Sequence, residues 1–137
     1  RDAGTAAPAG RRRRYNLTLD PERGAGPHAP MFRSDIWAAA FLRRNNDLGR
    51  ACVLVRRGDP IAGQILIEID HLDGTRSLYM PAPAIGRNDA ERVFQLRFDR
   101  ATPEQVAARI AREVDFDPDI WVLSLDLRHG DPGLLVG

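Results

Sequence analysis

Apolar periodicity begins only at Met31, and that boundary most constrains what this chain can fold into. Residues 1–30 hold 6 Arg, 6 Ala, 4 Gly and 4 Pro, so 20 of the 30 positions contribute no large apolar group. Such a segment cannot offset the entropy of ordering its own backbone. We therefore expect residues 1–30 to be a disordered or spurious upstream extension, translated from an earlier start. Residues 31–137 are expected to form a single small domain. A domain of that length buries roughly 60–70% of its unfolded surface, enough for one core without disulfides or metal.

Charge narrows the class further. All 20 basic residues are Arg, which fits an Ala- and Arg-rich composition from GC-rich coding more simply than selection for phosphate forks. The first 30 residues carry 6 Arg against Asp2, Asp20 and Glu22, a net +3, whereas the remainder carries 14 Arg against 16 acidic residues, a net −2. The domain thus has no overall bias toward nucleic acid or an anionic membrane. Cys52 is the one cysteine, which excludes an intrachain disulfide and fits a reducing compartment. No stretch reaches the roughly 18 apolar residues of a membrane helix, and residues 1–30 lack the apolar run of a secretory signal. The expected location is cytoplasmic, with no membrane partner.

The pattern from Met31 onward predicts two helices and four to five strands. Ser34 is expected to cap a helix packed through Trp37 and Phe41, with Ile36, Ala40 and Leu48 beside them and Gly49 as its stop. A strand over 51–57 follows, ended by Gly58-Asp59-Pro60. In the strand 64–70, Ile65, Ile67 and Ile69 share one face, while Leu66 shares the other with Gln64, Glu68 and Asp70. Asp73-Gly74 signals a hairpin into a strand over 75–80. After Pro81, Pro83 and a loop through Ile85, Gly86, Arg87 and Asn88, Phe94, Leu96 and Phe98 alternate with Gln95 and Arg97. Thr102-Pro103-Glu104-Gln105 predicts a capping box opening a second helix, buried through Val106, Ile110 and Val114 with Ala107 and Ala111. A strand over 120–127 places Trp121, Leu123, Leu125 and Leu127 on one face. The order α-β-β-β-β-α-β implies an α+β domain with a mainly antiparallel sheet, its helices on one face and a polar face open to water or a partner.

Certain residues carry a resemblance. Ser34-Asp35-Ile36-Trp37 through Phe41-Leu42-Arg43-Arg44, Val55 to Asp59, Leu72 to Thr75 with Leu78-Tyr79, Pro81-Ala82-Pro83, and Phe116 to Trp121 together resemble a family of short alphaproteobacterial proteins. That family is known as domain of unknown function number 1491. The likeness covers about residues 32–128 and implies a bacterial, cytoplasmic protein that starts near Met31. It implies no activity and no catalytic residues.

Candidate sites are few. Arg43 and Arg44, with Arg56 and Arg57, would form a basic patch if the first helix ends beside the first strand, and Tyr79 or Phe94 could then stack bases. His71 and Asp73 at the hairpin, with Tyr79 nearby, offer acid–base groups for a ligand-binding or small enzyme site, although a hairpin tip is usually solvated. Asp115, Asp117 and Asp119 have the alternate spacing of calcium ligands, but Ile120 stands where such a loop needs Gly, so no metal is expected. Cys52 among Val and Leu reads as a small buried group, and Ser34, Ser77 and Ser124 lie in no nucleophile elbow. No phosphate-loop or dinucleotide motif occurs, so no cofactor is expected. The favoured function is a non-catalytic protein-interaction module that offers an open sheet face or edge strand to a partner or to its own copy. A nucleic-acid accessory role through the Arg patch is the alternative.

Overall fold

The computed structural model describes residues 33–83 and 91–137. The expectation for residues 1–30 and the loop through Ile85 to Asn88 lie outside the described residues. Seven elements follow in the predicted order. They are α1 (Ser34–Asp47), β1 (Cys52–Arg56), β2 (Ile65–Asp70), β3 (Arg76–Pro81), β4 (Phe94–Ala101), α2 (Pro103–Phe116) and β5 (Trp121–Asp126). The five strands make one sheet in the order β1-β5-β2-β3-β4. Three pairs are antiparallel, and β2 with β5 is parallel.

Both faces of the sheet carry a helix, which corrects the expectation of helices on one face. Ile65, Ile67 and Ile69 meet Trp121, Leu123 and Leu125 on the first face, beneath Ala38 and Phe41 of α1. The alternate residues Leu66 and Val122, with Ile120, Leu78 and Met80, pack on the second face under Val106 of α2. In the sequence, Leu66 shares its face with the polar Gln64, Glu68 and Asp70, and Val122 stands between the residues of the apolar face of its strand. Leu66 and Val122 are the floor of a second core, because successive strand residues point to opposite faces.

Among the described residues, the second face is only half covered. α2 lies over β3 and β4. Beyond it, the same face continues through Glu68, which pairs with Leu78 on one side and Ser124 on the other, and Ser124 pairs with Val53. Glu68 is 7% exposed and is met by Arg76 Nη1 at 2.7 Å, while Arg76 Nη2 reaches Asp70 at 3.3 Å. A carboxylate this deep needs such a partner, since leaving it alone would cost several kcal/mol, about 3.

Helix ends show where local chemistry was read correctly. Thr102 accepts from the Gln105 amide while Gln105 Oε1 accepts from the Thr102 amide, so the capping box is present. Gly49, at φ +81, closes α1: its amide donates to Asn46 O and that of Arg50 to Asn45 O. This is the paired 6→1 and 5→2 closure that favours glycine in the left-handed region.

Three expectations need correction. Arg33, not Ser34, occupies the cap of α1, and it makes no side-chain cap bond. The carbonyls of Pro60 and Ile61 take the first amides of the helix instead, which leaves Ser34 buried, its hydroxyl donating to Gly63 O and accepting from Arg92. The buried stripe of α1 is Ser34, Ala38, Phe41 and Asn45, with Trp37 stacked on Phe41 at 5.2 Å, whereas Ile36, Ala40 and Leu48 are exposed. Asn45 can be buried there because Nδ2 donates to Phe41 O and Oδ1 accepts from Arg50. Finally, Phe94 and Phe98 lie on opposite faces, in the first and second cores respectively. One register shift in the β3–β4 ladder, where Tyr79 pairs with Leu96 but the adjacent Leu78 pairs with Phe98, inverts the alternation between them.

Candidate functional site

The four arginines do not converge. The start of α1 binds the Pro60–Ile61 turn just after β1, and its end binds Cys52 at the start of β1 through Asn46. α1 therefore runs against β1, which puts Arg43 and Arg44 at one end of that strand and Arg56 and Arg57 at the other. Arg44 donates to Gly133 O at 3.1 Å and lies over Phe41. Arg56 donates to Pro118 O at 2.7 Å, and Arg57 lies 5.0 Å above the Trp121 ring. Arg44 and Arg56 are thus anchored to different loops.

His71 and Asp73 are better connected than a solvated tip would be. The His71 ring spans two strands and a tail: Nδ1 faces Leu127 O at 3.3 Å and Nε2 faces Ser77 Oγ at 2.7 Å. A carbonyl only accepts, so in the neutral ring this geometry puts the proton on Nδ1. Nε2 then accepts from the Ser77 hydroxyl, whose oxygen in turn accepts the Arg100 amide. The order backbone, imidazole, hydroxyl imitates an activated serine. Ser77 is 3% exposed, however, and its oxygen is already engaged, so it offers no approach to an electrophile. The chain of bonds braces the β2–β3 hairpin against β4 and the end of β5. Sequence reading passed over Ser77 because its pairing opposite Ile69 emerges only from the hairpin register.

Asp73 takes both the amide and the hydroxyl of Thr75, and these bonds hold its carboxyl below the usual range. Its other oxygen meets Arg100 at 2.9 Å. Arg100 has φ +56, a left-handed backbone that this ion pair and the Ser77 bond hold in place. Tyr79 lies on the first face opposite Ile67, packed against the core, and burial raises its phenol. His71, Ser77, Asp73 and Arg100 are therefore brought together. Tyr79 stands apart from them as a core residue.

The Cys52 thiol is buried, and burial pushes it up to about 11. A thiol so protonated is no nucleophile at neutral pH. Asp117 closes α2 by donating its amide to Glu113 O, and its carboxylate accepts the Asp119 amide. Among the described residues no cluster of His, Cys, Asp or Glu could hold a metal ion.

The remaining feature is β1 itself. It is the first strand of the sheet order, so one of its edges has no neighbour among the described residues. Val53, Leu54 and Val55 are 55%, 39% and 58% exposed. A bulge between Leu54 and Arg56 leaves Val55 out of the ladder with β5 and bends the strand. Phe116, 89% exposed, lies two residues before Pro118, whose carbonyl holds Arg56 at the end of the same strand. At the opposite edge, β4 is not bare: the Phe94 amide donates to Leu135 O and the Gly137 amide to Phe94 O. An unpaired edge bearing three adjacent aliphatic residues is a template for strand addition.

No helix among the described residues is long and apolar enough to cross a membrane. A search of curated proteins returns no match. Solved structures are informative. The crystal structure of a DUF1491 family protein from Caulobacter crescentus CB15 is 29% identical with a TM-score of 0.66, over 78% of this chain and 98% of that one. An NMR structure of a DUF1491 family protein from the same organism is 31% identical with a TM-score of 0.65, over 78% and 97%. The solution structure of protein Atu0922 from A. tumefaciens is 30% identical with a TM-score of 0.69, over 77% and 93%. The family model for DUF1491, a protein of unknown function, matches residues 32–134, and this chain belongs to that family.

Proposed function

We propose that this domain is a non-catalytic protein-interaction module of the bacterial cytoplasm, working through the free edge of β1. One observation carries the reading: three consecutive aliphatic residues, Val53, Leu54 and Val55, lie exposed on a strand with one edge unpaired among the described residues. Full burial of such side chains is worth roughly 1.5–3 kcal/mol each, so covering these half-exposed ones contributes about 1 kcal/mol apiece. The bulge at Val55 limits regular pairing to the stretch before it, which suits a short extended segment of a partner or of a second copy. The brace at His71 and the buried Cys52 offer no accessible nucleophile, which favours binding over catalysis. A nucleic-acid role is less well supported, since Arg43 and Arg44 are separated from Arg56 and Arg57 by the length of β1.

The test compares the full chain with a Val53→Lys variant and a Val55→Pro variant, by light scattering over a concentration series and by affinity purification from an alphaproteobacterial host. A self-associated or partner-bound wild type that both variants release supports the reading. A wild type that stays monomeric and retains the same proteins as the variants overturns it.

A further inference from the structure

A second surface is set apart by its donors. A groove of about 310 Å³ lies between β4 and α2, lined by Arg97, Phe98, Gln105, Ala108, Arg109 and Arg112. Gln105, Ala108, Arg109 and Arg112 recur at i, i+3, i+4 and i+7, so they form one stripe of α2, beside the stripe that Val106, Ile110 and Val114 bury. Phe98 rests against the second core and supplies an apolar wall, with the Arg97 guanidinium 4.9 Å above its ring.

The polar groups of this groove all donate. Arginine has no acceptor. Gln105 has one, Oε1, and both the amide and the hydroxyl of Thr102 lie within hydrogen-bond distance of it in the capping box, which leaves the Gln105 side-chain NH₂ as the group it can offer. Arg109 is partly neutralised by Glu113 at 2.8 Å. Arg97 and Arg112 form no ion pair among the described residues. Gln105 also sits in the first turn of α2, where the helix dipole favours negative charge. Three guanidinium groups gathered at one groove in a domain of net charge −2 are a local arrangement that overall composition does not supply.

We propose that this groove binds a small organic anion, one that presents phosphate or carboxylate oxygens to Arg97, Arg112 and Gln105 and lays an apolar body on Phe98 and Ala108. The volume is at the lower end of small-ligand sites, which span roughly 300–1,000 Å³. Guanidinium forks match both oxyanions. The donors converge on one groove and do not repeat along a track, as a polynucleotide backbone would require.

The experiment uses the full chain, isotope-labelled, titrated by NMR with pyrophosphate and in parallel with citrate, with sodium chloride at matched ionic strength as the control. Saturable shifts at Arg97, Phe98 and residues 105–112 are expected, and they should weaken about tenfold or more in an Arg97→Gln, Arg112→Gln double variant. Both positions are exposed and free of ion pairs, so the unliganded spectrum of the variant elsewhere should match that of the wild type. Saturation by pyrophosphate alone identifies a phosphate-bearing ligand, and by citrate alone a polycarboxylate. Shifts confined to Arg11–Arg14, shifts that chloride reproduces, or equal affinity in the double variant would overturn the proposal.

Discussion

The two faces of the sheet are built on different physics. Under α1 the first face is aliphatic and aromatic along the whole length of β2 and β5, from Ile65 and Trp121 to Ile69 and Leu125. Under α2 the second face starts the same way, with Leu66 and Val122, and then turns ionic at Glu68, Asp70 and Arg76. The first face is held by dispersion and water exclusion. The second depends on a charge pair that must stay intact because Glu68 is buried. One strand, β2, can belong to two such regimes because its alternate residues never share a neighbourhood.

The largest test of this contrast is Trp121→Ala. Trp121 is fully buried, and its Nε1 donates to Asp59 O at 2.7 Å. Gly58 and Gly63 press so closely on its ring edge and on Asp119 O that neither could carry a Cβ without displacing them. Removing the indole leaves a cavity ringed by rigid backbone that cannot collapse, and we expect a loss of about 4 kcal/mol in urea unfolding. A loss below about 1 kcal/mol would show that the first face does not depend on its largest residue.

Cys52 gives the first face a dependence on alkaline pH. Its thiol is raised by burial from the ordinary 9.0 to about 11, so the folded state holds the proton more tightly than the unfolded chain. The stability linked to it is fully present below pH 9 and is lost as pH rises toward 11, up to about 3 kcal/mol. Cys52→Ala should remove that part of the alkaline decline. Tyr79 and the arginines remain in both proteins, so the difference between their unfolding curves from pH 8 to 11 isolates the thiol.

On the second face, Arg76→Met should cost about 3 kcal/mol at neutral pH, because it strands the Glu68 carboxylate. The double change Arg76→Met with Glu68→Leu should recover most of that loss in the same unfolding assay. If the single variant is as stable as wild type, the ionic half of the face is ornamental. Thr102→Ala removes the capping hydroxyl of α2 and should lower stability by about 1 kcal/mol. The smallest effect belongs to the edge: Val53→Lys, exposed and outside both cores, should shift unfolding by less than about 0.5 kcal/mol. That near-neutrality is what makes it a clean probe of association.

The elements themselves were legible because each carries its own period and punctuation. Asp73-Gly74, Gly49 and the Thr102–Gln105 box act within a few residues, and local physics suffices for them. Layering was not legible. Leu66, Leu78, Met80, Ile120 and Val122 were present as apolar letters, yet whether they face a helix or water depends on where α2 lands. The inversion of Phe98 relative to Phe94 follows from a single bulge between Leu96 and Phe98 that no turn residue announces. The same limit governed the sites. Arg43, Arg44, Arg56 and Arg57 look adjacent only if the direction of α1 along β1 is ignored. Arg109 and Arg112 drew no notice in the sequence, because Arg97 joins them only through the placement of β4.

The strand order also governs how this chain is made. β1 and β2 both flank β5, so the strand synthesised first among those described waits for the one synthesised last. Until β5 has left the ribosome, β1 has no neighbouring strand among those described and β2 has only its hairpin partner. The edges of β1 and β2 that β5 will pair are then open together. Closing so distant a contact is slow by nature, and an open apolar strand during that wait invites aggregation or a chaperone. The seam between β1 and β2 therefore closes last, when β5 enters between them.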